Sequence, residues 1–275
     1  MTHKALDGRR ALITGGGRGI GRAIALAMAR DGAAVVVLAR TSEQVGEVAA
    51  QIAGMGVHSL AVQADLSHRG ELEAGIDRAL AEWGGIDILV NNAGILGPVG
   101  RTHELDPEAW MQTLQVNLFA SFRCAQLILP GMIERQRGKI INLSGGGAVS
   151  PRPRFSAYAA AKAGLVRFTE TLAAEVAEHA IDVNAIAPGA IHTNMVDEIL
   201  NAGAAAGEED RAEAQQLVDA GGQDPDRAAA LAVFLASSRS DGLSGRLISA
   251  MWDDWEHLDI AAVMGSEQFT VRRLK

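Results

Sequence analysis

A single cysteine, Cys124, excludes a disulfide within the chain and any thiolate metal cage, and makes a reducing compartment, the cytoplasm, the expected location. Aromatic residues are only 4% of the 275 residues, so core volume has to come from Ala, Val, Leu and Ile. No run of about eighteen apolar residues occurs and the opening MTHKALDGRR has no apolar core, so neither a membrane span nor secretion is expected. Lys and Arg number 25 against 33 Asp and Glu, and basic residues cluster only in short pairs such as Arg9-Arg10 and Arg272-Arg273, which argues against a nucleic-acid surface. The seven histidines are scattered, with no H-E-x-x-H and no carboxylate cluster at ligand spacing, so no metal site is expected. Nor is there a fixed-period repeat or a Pro/Ser-rich linker, and a single domain over 1–275 is the simplest organisation.

What is present is alternation. Short β-branched runs, 10–14, 34–39, 58–63, 86–91, 139–143 and 181–187, are separated by helical patterns starting near Gly19, Ser42, Arg69, Pro107 and Ser156. Strand-helix alternation implies right-handed crossovers and a doubly wound α/β architecture, a parallel sheet with helices on both faces. The unbroken apolar character of the strands agrees, because both faces must be dry. One stretch breaks the pattern. Residues 194–226, rich in Ala, Gly and acids, read as an insertion after the sixth strand: a solvated helical excursion or a lid over a substrate.

Directly after the first strand comes TGGGRGIG, Thr14 to Gly21, opening an Ala-rich helix. Glycines there allow a tight turn, close approach of backbone to a pyrophosphate and close packing of helix on strand, with phosphate charge at the helix N-terminus. In this βαβ context the string points to a dinucleotide. An acid ending the second strand would bond the ribose 2′-hydroxyl of NAD, but this chain has Leu38-Ala39-Arg40. Arg40, with Arg18 from the glycine loop, suits a 2′-phosphate, so NADP(H) is favoured and NAD(H) remains open.

The only tyrosine lies in YAAAK, four residues ahead of Lys162. At that spacing Tyr158 and Lys162 share a helix face, and Leu165, Phe168, Leu172 and Val176 supply the helical period. A phenol titrates near ~10, too high for ready exchange at neutral pH, and a neighbouring cation brings it down. Hydride transfer at a carbonyl requires such a group, because the oxygen must gain a proton as the carbon gains hydride.

Together these motifs resemble the short-chain dehydrogenase/reductase family in its short single-domain form. The match runs from Thr14 to about Thr193: TGGGRGIG, Asp65-Leu66, NNAG from Asn91 to Gly94, Asn117 in LQVNLF, YAAAK, and Pro188-Gly189 with Thr193. The resemblance implies a Rossmann-like sheet of about seven strands. It implies Tyr158 as general acid in reduction and base in oxidation, Lys162 lowering its pKa and bonding the nicotinamide ribose, and Asn117 holding a water that links the lysine to solvent. It places Gly15, Gly17, Arg18, Gly19, Ile20, Gly21, Arg40, Asp65, Leu66, Asn91, Ala93, Gly94, Pro188, Gly189, Ile191 and Thr193 at the cofactor, Asp65 at its adenine. Read from the residues alone, Asp65 could instead cap the helix near Arg69, and Asn91 and Asn117 could be structural amides.

Two features depart from the family. Its catalytic serine lies thirteen residues before the tyrosine, a count that lands on Gly145; Ser144 is assigned the role, the glycine run 145–147 absorbing the one-residue shift. The tail, 246–275, carries Trp252 and Trp255 where the family has a Gly-rich, Asp-containing turn. That end helps build oligomer contacts and the substrate rim in the family, and a homo-oligomer, dimer or tetramer, is expected. The expected activity is NAD(P)-dependent interconversion of a carbonyl and a secondary alcohol on a small molecule. The alternative is a cofactor-binding sensor or assembly partner with weak or lost turnover, for which Gly145 is the one supporting feature.

Overall fold

The computed structural model of the protein describes residues 4–221 and 224–272, so positions 222–223 of the expected excursion and 273–275 of the expected tail lie outside the described residues. In chain order the elements are β1 (Arg10–Thr14), α1 (Gly19–Arg30), β2 (Ala34–Ala39), α2 (Ser42–Gly54), β3 (Ser59–Gln63), α3 (Arg69–Trp83) and β4 (Ile88–Asn91). There follow α4 (Pro107–Leu114), α5 (Ala120–Glu134), β5 (Gly138–Leu143), α6 (Ser156–Glu175) and β6 (Ile181–Ala187). The chain continues through α7 (Asn194–Asn201), α8 (Glu208–Asp219), α9 (Asp226–Ala236), β7 (Leu247–Ser249) and α10 (Ile260–Met264). Among the described residues the sheet has seven strands, all parallel, in the order β3-β2-β1-β4-β5-β6-β7.

Burial on both faces follows from the period of two along each strand. Ala11, Ile13, Val35 and Val37 point into one core layer with Ile24 and Met28 of α1, Val48 and Ile52 of α2 and Leu231 of α9. Their neighbours Leu12, Val36 and Leu38 point the other way, against Leu72 and Ile76 of α3 and Ile128 and Met132 of α5. An alternating strand with one polar face could not serve both layers, which is why these strands are apolar throughout. Cys124 belongs to the second layer, and burial pushes its thiol up to about 12, leaving it a small hydrophobe.

Helices α4 and α5 are joined by a π turn over Gln115–Phe119, giving one continuous helix, Pro107–Glu134. By length and composition it could cross a bilayer, but here α5 packs on α3, β4 and β5. The excursion after β6 folds as α7, a 3-10 turn at Gly203–Ala206, and α8. Its outer face is polar as expected. Its inner residues Val196, Ile199, Ala206 and Ala214 join Leu96, Phe155 and Tyr158 in a small separate apolar cluster.

At the opposite, N-terminal edge of the sheet, Asp87 is buried just ahead of β4. Its carboxylate accepts from the main-chain N–H and Nε of Arg10 at 3.0 Å each and from Arg137 Nη2 at 2.9 Å. Burial alone would raise this carboxyl; the hydrogen bonds from Arg10 and Arg137 outweigh it and hold the group below its ordinary range. The partners are part-exposed, so removing the charge, Asp87→Asn, should cost about 3 kcal/mol in urea unfolding, the low end for breaking a buried pair. In the unmodified protein the same contribution is complete above the carboxylate range and fades as pH falls below ~4.

Candidate active site

The sheet order reverses between β1 and β4, and the chain leaves these strands toward opposite faces, so a crevice opens at their C-terminal ends. Across it runs a clasp. Thr14 Oγ1 accepts from the N–H groups of Asn92 (3.0 Å) and Ala93 (3.1 Å), and Asn92 Nδ2 donates to the carbonyls of Thr14 (2.9 Å) and Gly15 (3.2 Å). The resulting cleft holds about 1120 Å³ and is lined by every expected cofactor residue except Asn91.

The glycine loop fits a pyrophosphate. Gly15 has φ +64°, and a Cβ there would lie 2.9 Å from Ala93 Cα. A Cβ on Gly21 would run into the Gly15 carbonyl and the Asn92 amide. Arg18, the N-cap of α1, makes no side-chain bond to the first turn, so its N–H groups remain available for an anion. The expected glycines thus form a cradle that a dinucleotide phosphate, rather than side chains, can fill.

At the end of β2, Arg40 is 73% exposed along its side chain, its Nη1 4.0 Å from Asp65 Oδ2. Thr41 and Gln44 line the same part of the cleft. Asp65 is not the N-cap of α3, which is His68; its carboxylate accepts from Ser67 N (2.9 Å) and Ser67 Oγ (2.7 Å). Burial pushes this carboxyl up, and the Ser67 bonds and Arg40 more than offset it. On the far wall Pro188, Gly189, Ile191 and Thr193 line the cleft as expected, and Thr193 is the extended N-cap of α7.

Tyr158 and Lys162 lie one turn apart on α6, both buried and both in the cleft wall. Lys162 Nζ donates to the Leu143 carbonyl at 2.7 Å and sits 5.7 Å from the centre of the Tyr158 ring. Burial raises the Tyr158 phenol, and the opposing charge belongs to Arg152 rather than to the expected Lys162. Burial also brings Lys162 down to about 8, which weakens it as a cation.

Three expected residues behave differently. Asn91 is buried away from the cleft, its Nδ2 donating to Asn142 Oδ1 at 2.9 Å, so it is not part of the cofactor floor; the lining amide is Asn92. Asn117 is fully buried in the π turn with both ends of its amide on the Ile95 main chain, at 2.8 Å each. Ser144 does not move into the orienting position. A Cβ built on Gly145 collides with the Tyr158 hydroxyl, so position 145 faces the phenol, whereas Ser144 Oγ is buried in the cleft wall without a hydrogen-bond partner. The tryptophans separate: Trp255 is core, packed on Phe234 at 5.7 Å between ring centres, and Trp252 stands 84% exposed on the cleft rim. Sequence reasoning missed Thr14 and Arg152. Thr14 was legible as the last residue before the glycines, but nothing in PRPR distinguishes Arg152 from a surface charge.

These features define a dinucleotide-binding fold with a buried tyrosine and lysine side by side in the wall of its cleft. The family model of the short chain dehydrogenases matches residues 9–203, and the chain belongs to that family. It is 36% identical over 245 residues to a 3-oxoacyl-acyl-carrier-protein reductase of Staphylococcus aureus, covering 87% of this chain and 95% of that one. It is 35% identical over 254 residues to a D-beta-hydroxybutyrate dehydrogenase of Cupriavidus necator, covering 90% and 96%. Among solved structures, a gluconate 5-dehydrogenase from Burkholderia cenocepacia in complex with NADP and tartrate superposes with a TM-score of 0.78 at 34% identity, over 90% of this chain and 95% of that one. An NAD+-bound xylitol dehydrogenase gives 0.81 at 26%, over 90% and 98%. The protein is an NAD(P)-dependent oxidoreductase that interconverts carbonyl and alcohol groups.

Burying Lys162 carries a cost that pH reveals. With its folded pKa near 8 against 10.5, the unfolded chain binds an extra proton between these values, so the penalty is complete below about 8 and disappears as pH rises to 10.5. Lys162→Met should therefore raise thermal stability at pH 7 by about 1–3 kcal/mol, and calorimetry should show the gain shrinking through that window.

Proposed function

We propose that Tyr158 moves the proton that accompanies hydride transfer, with NADP(H) the preferred cofactor and a small oxo or hydroxy compound the substrate. The observation that carries this reading is the placement of the chain's only phenol, buried beside a lysine, in the cleft that the glycine cradle opens. The nicotinamide, when bound, supplies or accepts the hydride. Tyr158 gives its proton to the oxygen in reduction and takes it back in oxidation. Lys162, tied to the end of β5, faces the ribose, and because the Asn117 amide is committed to Ile95, a water relay through this residue would use its main-chain carbonyl. Gly15, Gly17, Gly19, Ile20 and Gly21 hold the pyrophosphate, Asp65 and Leu66 the adenine, and Pro188 to Thr193 the carboxamide.

Arg40 supports NADP(H), because it stands where an acid would otherwise meet a ribose hydroxyl, and its guanidinium is free to turn from Asp65 to a phosphate. Names of relatives, an oxoacyl reductase and a hydroxybutyrate dehydrogenase, make oxo and hydroxy acid derivatives the first compounds to assay. Residues 194–226 act as the substrate cover and the tail as part of its rim. Self-association into a dimer or tetramer is supported by the aromatic ladder Phe119–Phe122–Phe168, with Phe122 exposed, and by Met111, exposed on the same continuous helix. A reducing cytoplasm suits the inert Cys124.

Tyr158→Phe should lower turnover of NADPH with a carbonyl panel by about 10³-fold or more while cofactor binding, read by fluorescence titration, stays within about threefold. Equal rates in both proteins would remove Tyr158 from the chemistry. Arg40→Asp should move the ratio of kcat/KM for NADPH over NADH toward NADH by about tenfold or more, and an unchanged ratio would take Arg40 out of the phosphate site.

A further inference from the structure

The run Gly145–Gly147 leaves the cleft wall beside the Tyr158 hydroxyl without side chains, and Arg152 occupies part of that space. A Cβ on Gly146 would lie 3.3 Å from Arg152 Nη1, and one on Gly147 would meet Ala159 Cβ at 2.8 Å before Arg152 Cβ at 3.2 Å, so the guanidinium lies beside Gly146, next to the position that faces the Tyr158 hydroxyl. Its side chain is only 22% exposed. The guanidinium stacks on Phe155, 4.2 Å from the ring centre, and Phe155 shares the apolar cluster of Tyr158. Nε and Nη2 both donate to Asp210 Oδ1 of α8, at 2.9 and 2.7 Å, while Nη1 donates to nothing among the described residues. A guanidinium fixed on two sides, with its third nitrogen free in a cleft wall, is a preorganised donor.

We propose that Arg152 does the work of the hydroxyl absent at position 145: its Nη1 hydrogen-bonds the substrate oxygen beside Tyr158 and stabilises the negative charge that develops there. This rests on Tyr158 as the proton-transfer group. In reduction the hydride bonds to the carbonyl carbon, the π pair moves to oxygen, and that oxygen takes the phenolic proton, leaving a phenolate. Arg152 transfers no proton; its guanidinium is a donor only, and its positive charge stabilises both the oxyanion and the phenolate. It also opposes the effect of burial on Tyr158. Other titratable side chains on this large cleft's wall include Lys162 on the same helix, His192 ahead of α7, Asp197 and Glu198 on α7, and Asp210 and Glu213 on α8, but only Arg152 acts against burial at the phenol. Asp210, ion-paired with Arg152 at 2.7 Å, offsets part of that arginine's charge.

Because Tyr158 is the only tyrosine, its ionisation can be followed directly by the ultraviolet absorbance of phenolate in the intact protein, without turnover. Arg152→Gln should raise the Tyr158 pKa by about one unit or more and lower kcat by about 100-fold, with KM for the cofactor changed less than about threefold. Asp210→Asn breaks the same ion pair but keeps the cation, and should move the phenol pKa downward. Arg152→Lys should hold the phenol pKa near its original value yet lose about tenfold or more in kcat, having no fork to reach the oxygen; it also serves should the glutamine variant fail to fold. The proposal is overturned if Arg152→Gln titrates and turns over normally. It is overturned equally if Arg152→Gln and Asp210→Asn shift pKa and kcat alike, which would make the arginine a latch for α8, if Arg152→Lys keeps full kcat, or if Ser144→Ala alone carries the loss. Failure here with Tyr158→Phe inactive leaves the proton-transfer reading standing, and an active Tyr158→Phe sinks that reading by itself.

Discussion

The clasp between Thr14 and Asn92 is the constraint on which the cleft depends. Parallel strands that send their chains to opposite faces leave a gap at the reversal of strand order, and beyond the last ladder pair, Ile13 and Val90, sheet pairing no longer holds the two chains together. Here the width of the gap is set by hydrogen bonds that cross it in both directions, with Thr14 Oγ1 as the acceptor for two N–H groups and Asn92 Nδ2 as the donor to two carbonyls. Each is worth only about 1 kcal/mol net, but the main-chain groups they satisfy would cost more if buried alone. The same bonds explain the glycines. Gly15 and Gly21 lie so close to Ala93 and Asn92 that a methyl group at either would push the clasp apart.

A second polar chain carries the reference frame from the sheet to the chemistry. Asn91 donates to Asn142, Asn142 Nδ2 donates to Thr169 Oγ1 at 2.8 Å, and Lys162 Nζ donates to the Leu143 carbonyl. Together they fasten β4 to β5 and β5 to α6. Helix α6 therefore cannot rotate or slide without leaving buried amides unpaired, and Tyr158 keeps its place relative to the glycine cradle. Asn91 thus serves the site at one remove, by positioning the helix that carries the phenol.

The strands and helices were legible because nearly all are governed by local rules. The start of α1 follows from the glycine string, and the apolar runs of β1, β2 and β6 end where the structure ends them. Ile86 and Asp87 look like strand, yet β4 begins at Ile88: the backbone bends at Asp87, although its N–H still donates to the Arg10 carbonyl at 2.8 Å and its carbonyl accepts from Lys139 N–H at 3.0 Å. Strand β7 is three residues long and too short to show a period. What the residues could not reveal was direction across space. Counting placed either Ser144 or Gly145 opposite Tyr158, and only the backbone path out of β5 decides that Gly145 faces the phenol. Arg152 was invisible for a related reason: its importance comes from Asp210, 58 positions later, which α8 brings to it.

The excursion that reads as polar in sequence turns out to set the electrostatics of the site. Val196, Ile199 and Ala214, turned inward from α7 and α8, dry the region around Tyr158. Drying pushes the phenol up and the lysine down, so both groups tend toward their neutral forms, and a neutral phenol is the form that donates. A site dried without compensation would hold its proton too tightly, since the phenolate left behind after donation would have no partner. The arginine beside the glycine run supplies that partner, and α8 holds it in place through Asp210. Burial and charge thus act on Tyr158 in opposite senses, and because α7 and α8 supply the burial while α8 also seats the arginine through Asp210, any change in how these helices sit on the cleft alters the two together.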